Sequence, residues 1–284
     1  MGWQKYLSYL AALSVVLSAE FLAFSLVTPQ LRAQSLEVSV TFPPTSSRGA
    51  PRRTTGGGQR NPEPRSCLKG SYPVVTALTP WDNVITTVAP NPTLFWYIPQ
   101  TEARTAEFVI KDDQQKDVYR TNLAIKGTPG VVKLSLPATV SLQTGKEYLW
   151  ELGLICDRAN RSDDRVVRGV IERTELTPQQ RTKLAVAREP LKKAEVYAAA
   201  GVWQETLSLL AQLRRTRPND SKVSDAWTEL LRSVQLNAIA NAPLVECCRA
   251  EPSRGVRNRQ YKAPYWTSNV TLIDFPSYRT YHHQ

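Results

Sequence analysis

The sequence predicts an α+β protein: an all-β sandwich followed by a small three-helix module. Three observations carry this reading. Between Cys67 and Glu175, short runs rich in β-branched and aromatic residues alternate with turn signals. After Thr177-Pro178 the apolar residues recur every three to four positions instead of every two. The two regions are bounded by stretches with no periodic pattern, so the ordered part of the chain lies between them.

Residues 1–35 read as an export signal. Lys5 supplies a positive start, Tyr6 to Val27 is apolar except for Glu20 and small hydroxyl residues, and Ala33-Gln34-Ser35 offers small residues for cleavage after Ser35. The alternative is an uncleaved N-terminal membrane anchor, since the apolar stretch approaches the ~20 residues that span a bilayer. Glu20 argues for cleavage, because a carboxylate at mid-membrane costs about 2.5–3.5 kcal/mol for as long as the segment stays there. Residues 36–65 turn to Pro, Gly, Ser, Thr and Arg, with Gly56-Gly57-Gly58 lacking side chains to pack. This composition predicts a flexible basic linker.

Residues 66–175 carry eight strand-like runs. They are Val74–Leu78, Val84–Val88, Thr93–Ile98, Glu107–Lys111, Lys116–Ile125, Val131–Pro137, Glu147–Cys156 and Arg165–Arg173. Tyr148, Trp150, Leu152 and Leu154 alternate with Glu151 and Gly153 as a half-buried strand requires. Leu142-Gln143-Thr144-Gly145-Lys146-Glu147-Tyr148 has the spacing of a tyrosine corner, in which the phenol ties a loop to the next strand. With Asn91-Pro92-Thr93-Leu94-Phe95-Trp96 as a central strand, the region is similar to immunoglobulin and fibronectin type III sandwiches, and Trp96 is expected in the core.

Residues 176–242 read as helical. Thr177 is a good N-cap with Pro178 at the first helical position. Leu184, Ala187, Leu191, Ala194 and Ala198 mark one apolar stripe. Trp203, Leu207, Leu210 and Leu213 mark a second, and Val223, Trp227, Leu230, Leu231 and Val234 a third. The spacing from Gly201 and Trp203 through Thr206, Leu210 and Leu213 to Pro218 resembles a tetratricopeptide repeat. One such hairpin cannot bury a solenoid core by itself, so its free face must pack on the β region or on a partner. Residues 243–284 form a basic and aromatic tail. It contains Cys247 and Cys248, then Arg254, Arg257, Arg259 and Lys262 interleaved with Tyr261, Tyr265 and Trp266, and Thr267–Phe275 as a candidate edge strand.

Composition narrows the chemistry. Lys and Arg total 36 against 25 acidic residues, a formal charge of +11. The only two histidines are His282 and His283, which removes a histidine triad or a His-ligated metal from any folded domain. No phosphate-binding glycine loop or nucleophile elbow is present, and Asp112-Asp113 and Asp163-Asp164 lie in turn-like sequence. No cofactor is expected, and no catalytic residue is assigned. The four cysteines suit an oxidising compartment. A Cys67–Cys156 bridge would close a loop that constrains the unfolded chain by about 4–5 kcal/mol. Cys247 and Cys248 are adjacent, and both cross-pairing and free thiols remain open for them.

The Arg-Gly-rich linker running into Cys67-Leu68, Thr76-Ala77-Leu78-Thr79-Pro80, Asn91 to Trp96, Phe108 to Asp112, Gly145 to Cys156 and Leu176-Thr177-Pro178 occur in an order that resembles a cyanobacterial family known as domain of unknown function 928. The resemblance covers roughly Cys67 to Ala242. It implies an exported protein and implies no activity.

The expectation is therefore an extracytoplasmic, periplasmic or secreted protein that is not an enzyme. It would be an interaction or scaffold protein of the cell envelope, binding a protein partner or an anionic polymer. Arg254, Arg257, Arg259, Lys262 and Trp266 are the candidate polymer contacts. Export argues against nucleic acid, and membrane contact would be limited to the signal segment. The alternative is a thiol-based redox or disulfide-linked assembly role for Cys247 and Cys248.

Overall fold

A computed structural model of the 284-residue chain describes residues 39–44, 67–69 and 73–246. The chain divides into two units, Met1–Ser39 and Val40–Gln284, and every strand and helix named below belongs to the second. The signal segment, most of the linker, and the tail beyond Glu246 lie outside the described residues.

The architecture is mixed α+β, with eight strands and four α-helices among the described residues. In chain order the strands are β1 (Thr76–Ala77), β2 (Val84–Thr87), β3 (Thr93–Ile98), β4 (Thr105–Lys111), β5 (Asp117–Ala124), β6 (Gly130–Ser135), β7 (Glu147–Ile155) and β8 (Arg165–Arg173). Each coincides with one of the eight runs of alternating or β-branched residues. They form a three-stranded sheet, β1-β3-β6, and a five-stranded sheet, β2-β8-β7-β4-β5. All pairings are antiparallel except β2 with β8, which run parallel.

The two sheets meet through aromatic side chains. Trp96 of β3 packs edge-on against Phe108 of β4 and Trp150 of β7, at centroid distances of 5.4 and 5.9 Å. All three rings are fully buried, so Trp96 belongs to the core and offers no face to a sugar. At the expected corner, the Tyr148 hydroxyl accepts a 3.0 Å hydrogen bond from the Gln143 amide. The Cys67–Cys156 disulfide is formed, joining the start of the sandwich region to the end of β7 across 89 residues of chain.

The helices are α1 (Pro178–Val186), α2 (Pro190–Ala199), α3 (Trp203–Thr216) and α4 (Ser221–Ser233). Thr177 caps α1 in a capping box with Gln180, as the sequence signals. The number of helices differs from the expectation of three. The stripe from Leu184 to Ala198 is split at Arg188-Glu189, because Pro190 lacks an N–H and its ring disfavours a helical residue before it. Pro190 instead starts α2, at the position where its missing donor costs nothing. Helix α3 packs between α2 and α4, and its N-terminal turns reach β2 and β3.

Two boundaries also differ from the expectation. Val40 and Phe42, inside the stretch read as linker, are buried, at 0 % and 6 % exposure. Phe42 packs edge-on against Trp203 at 5.0 Å, and its amide donates to Ser233 Oγ at 3.0 Å. The alternation of Leu36, Val38, Val40 and Phe42 is strand-like, but the Pro-, Gly- and Arg-rich residues that follow it set the linker reading. At the other end, Pro243–Glu246 is not a free tail. The Val131 amide donates to Pro243 O at 2.7 Å, and the Val245 amide donates to Val131 O at 2.9 Å. Leu244 thereby adds a parallel bridge to the outer edge of β6.

Candidate functional site

The helical layer is fastened to the sheets by the first turn of α3. Trp203 is wholly buried and donates from its indole to Leu78 O at 2.8 Å, while its amide donates to Thr86 Oγ1 at 3.0 Å. Glu205 lies in the same turn, beside the edge of β2. Its Oε1 accepts from Thr87 Oγ1 (2.8 Å), the Val88 amide (3.1 Å) and the Ala89 amide (3.0 Å). Its Oε2 is buried with no hydrogen-bond partner. Burial pushes the Glu205 carboxyl above its ordinary value, against the downward pull of these donors. The arrangement closes the β2 edge and serves packing, since no further charged group converges on it.

The opposite end of the same helix is open. A cleft of about 300 Å³ lies between the outer face of β3 and β6, the second half of α3, and Leu244-Val245. Its floor is apolar, from Phe95, Val131, Ala211, Leu244 and Val245. Its rim is polar and basic, from Thr93 and Lys133 on the sheet and Ser208, Gln212, Arg215 and Thr216 on the helix. The helical residues fall at intervals of three and four, so one face of α3 supplies them all. The β residues share a face because Phe95 stands opposite Lys133 in the antiparallel register.

Charge gives the cleft its character. Lys133 is driven below its ordinary ammonium value, first by desolvation and then by the like charge of Arg215. Two cations held close together favour an anion between them. On the chain itself, Glu246 forms an ion pair with Arg215. Nearby, Arg214 donates to Ala242 O at 3.1 Å and lies 5.2 Å from the centre of the Trp227 ring. These contacts anchor the residues leading into Pro243. An open hollow of about 360 Å³ between α1 and α2 has no comparable convergence of polar groups, and its Glu195 is paired with Lys192.

The residues singled out from sequence fall in three groups. Cys67 and Cys156 are joined. Cys247 and Cys248, together with Arg254, Arg257, Arg259, Lys262 and Trp266, lie outside the described residues. The aspartate pairs serve turns. Asp112 Oδ1 accepts from the Gln114 and Lys116 amides, while Asp164 pairs with Arg161 and accepts from the Cys156 amide. Among the described residues, no group of three or more His, Cys, Asp or Glu is placed to hold a metal ion, and no helix is long and apolar enough to cross a membrane. Lys133 and Arg215 went unnoticed in the sequence. They are far apart in the chain, in ordinary amphipathic contexts, and only the docking of α3 on β6 brings them together.

The comparison with known families bears on the whole of this unit. A family model described as Domain of Unknown Function (DUF928) matches residues 55–244. The chain belongs to this family. The DUF928 match runs through both sheets and all four helices and stops at Leu244, on the floor of the cleft. No curated protein matches the chain. Among solved structures, CopC from Methylosinus trichosporium OB3b aligns with 36 % of this chain and 98 % of its own, at 16 % identity and a TM-score of 0.22. At that TM-score the likeness carries no argument about this DUF928 protein.

Proposed function

We propose that this protein is an exported, non-catalytic interaction or scaffold protein of the cell envelope, which binds a protein partner or an anionic polymer. The observation that carries the reading is the cleft between α3 and β6. It is open, apolar at its floor and basic at its rim, as suits recognition of an anionic group. The Cys67–Cys156 bridge supports an extracytoplasmic location, because such bonds persist in oxidising compartments. An immunoglobulin-like arrangement of the two sheets and a tetratricopeptide-like α2–α3 hairpin both belong to this proposal. Each is a scaffold whose usual role is to present a surface.

The test is retention of the purified protein on isolated envelope material at low and at high salt. The reading expects retention, and at least a tenfold loss when Lys133 and Arg215 are both replaced by Glu. Loss at high salt would point to a polymer, and salt-resistant retention to a protein partner. Absence of retention at either salt concentration would refute the reading.

A second reading is a thiol-based redox or assembly role for Cys247 and Cys248. It rests on the adjacency of the two cysteines in the sequence, with Arg249 next to them. It expects Cys248→Ser to change the oligomeric mass under oxidising conditions. An unchanged mass and an unchanged rate of disulfide exchange would end it.

A further inference from the structure

The outer edge of β6 is only partly used. β6 is the last strand of the three-stranded sheet, and among the described residues its outer side is bridged at Val131 alone, by Leu244. Backbone groups alternate in direction along a strand, so the alternation that turns Val131 outward also turns Lys133 and Ser135 outward. Beyond the bridge, no strand of the described residues pairs with them. An edge of this kind invites a further strand.

The segment already seated there shows what the site accepts. Pro243–Glu246 lies extended, exchanges two backbone hydrogen bonds with Val131, rests Val245 over Gly130 and directs an acid to Arg215. Gly130 is what permits the close approach. A Cβ added there would stand 2.6 Å from Val245 Cγ1 and 2.9 Å from Pro243 O. The hold is nonetheless light, with one bridge and an ion pair whose Glu246 side chain is 77 % exposed.

We propose that the outer edge of β6 and the cleft beside it form a docking site for an extended acidic segment of a partner protein. The segment adds as a parallel strand, sets aliphatic side chains on the cleft floor and places a carboxylate between Lys133 and Arg215. Pro243–Glu246 occupies the site in cis and yields to the partner. A peptide is favoured over an acidic glycan because the occupant observed is an extended strand. In addition, the aromatic residue on the floor, Phe95, is only 4 % exposed and presents no stacking platform. The proposal rests on the interaction reading and names its partner class and its site.

The probe is a fluorescent peptide of sequence Asn-Ala-Pro-Leu-Val-Glu, titrated by anisotropy against the full chain. A Val245→Asp/Glu246→Lys chain, in which the cis segment no longer fits, should bind it at least tenfold more tightly than the unaltered chain. Adding Arg215→Gln should remove most of that gain. Gly130→Ala should abolish binding, because it blocks any strand at this edge. Thermal melts of each variant identify any that fail to fold, and Arg215→Gln, a change at the cleft rim, provides an arm independent of the strand. No binding to the Val245→Asp/Glu246→Lys chain, or binding indifferent to Arg215→Gln, would overturn the proposal. If polygalacturonate bound the cleft while the peptide did not, the site would belong to an acidic glycan and the proposal would likewise fail. Envelope retention that persists despite failure of the peptide would leave the broader reading standing, whereas loss of both would remove it as well.

Discussion

The carboxylate of Glu205 accepts three hydrogen bonds at one oxygen and has no partner at the other. Burial raises its folded-state value above the ordinary carboxylate value of about 4.3. An acid shifted upward keeps its proton to higher pH in the folded state than in the unfolded state. Its contribution to stability is therefore full below the unfolded value and is lost as pH rises through the folded one. Tyr197 of α2, the Thr87 hydroxyl and the Val88 and Ala89 amides are the groups that face it. Glu205→Gln keeps an acceptor for the Val88 and Ala89 amides and removes the titration. Urea unfolding from pH 4 to pH 8 should show a flatter pH dependence in this variant than in the parent. An identical slope in both would show that Glu205 does not titrate within that window. Glu205→Ala should instead cost about 1–3 kcal/mol for each donor left unpaired.

At the scale of elements, strand register explains a position that composition alone would pass over. Gly169 of β8 stands opposite Trp150 of β7. A Cβ there would lie 2.6 Å from Trp150 Cζ2 and 2.9 Å from Asn83 O. Trp150 is fully buried and Asn83 O is backbone, so neither has room to yield. Gly169→Ala should destabilise by about 1–3 kcal/mol, seen as a lower denaturant midpoint with an unchanged m-value. An unchanged midpoint would mean that the Trp150 ring can shift. The eight strands were legible for two reasons: β7 has an alternation of buried and exposed residues, whereas β3, buried on both faces, shows as a run of β-branched and aromatic residues between turn signals. Helix α1 was legible at its start, where Thr177 and Pro178 carry capping chemistry. It was misread at its end, where apolar spacing alone ran through Pro190. The pairing of Pro243–Val245 with Val131 was not legible, since a single bridge leaves no period to detect.

Among the described residues, one covalent tie and one long-range anchor join distant parts of the chain. The Cys67–Cys156 bond spans 89 residues, nearly the entire β region. Replacing both cysteines by Ser should lower stability by about 4–5 kcal/mol in the loop-closure account. The loss should appear as a lower denaturant midpoint, which reductant lowers in the parent but not in the variant. A parent insensitive to reductant would show that the bond contributes little. The anchor is Trp203, which joins the helices to Leu78 and β2 and also receives Phe42 from far upstream.

By itself, the sequence determined the α+β class, the eight strands, the corner at Tyr148, the capping of α1 and the cysteine pair able to bridge. It also removed histidine chemistry. These are local matters, set by side-chain period, by backbone-restricting residues and by counts. Only the tertiary structure decided that Phe42 meets Trp203, that Glu205 seals the edge of β2, and that Lys133 and Arg215 line one cleft. Those facts depend on how α3 lies across β2, β3 and β6. Such packing joins residues distant in the chain through contacts that leave no periodic trace in the sequence.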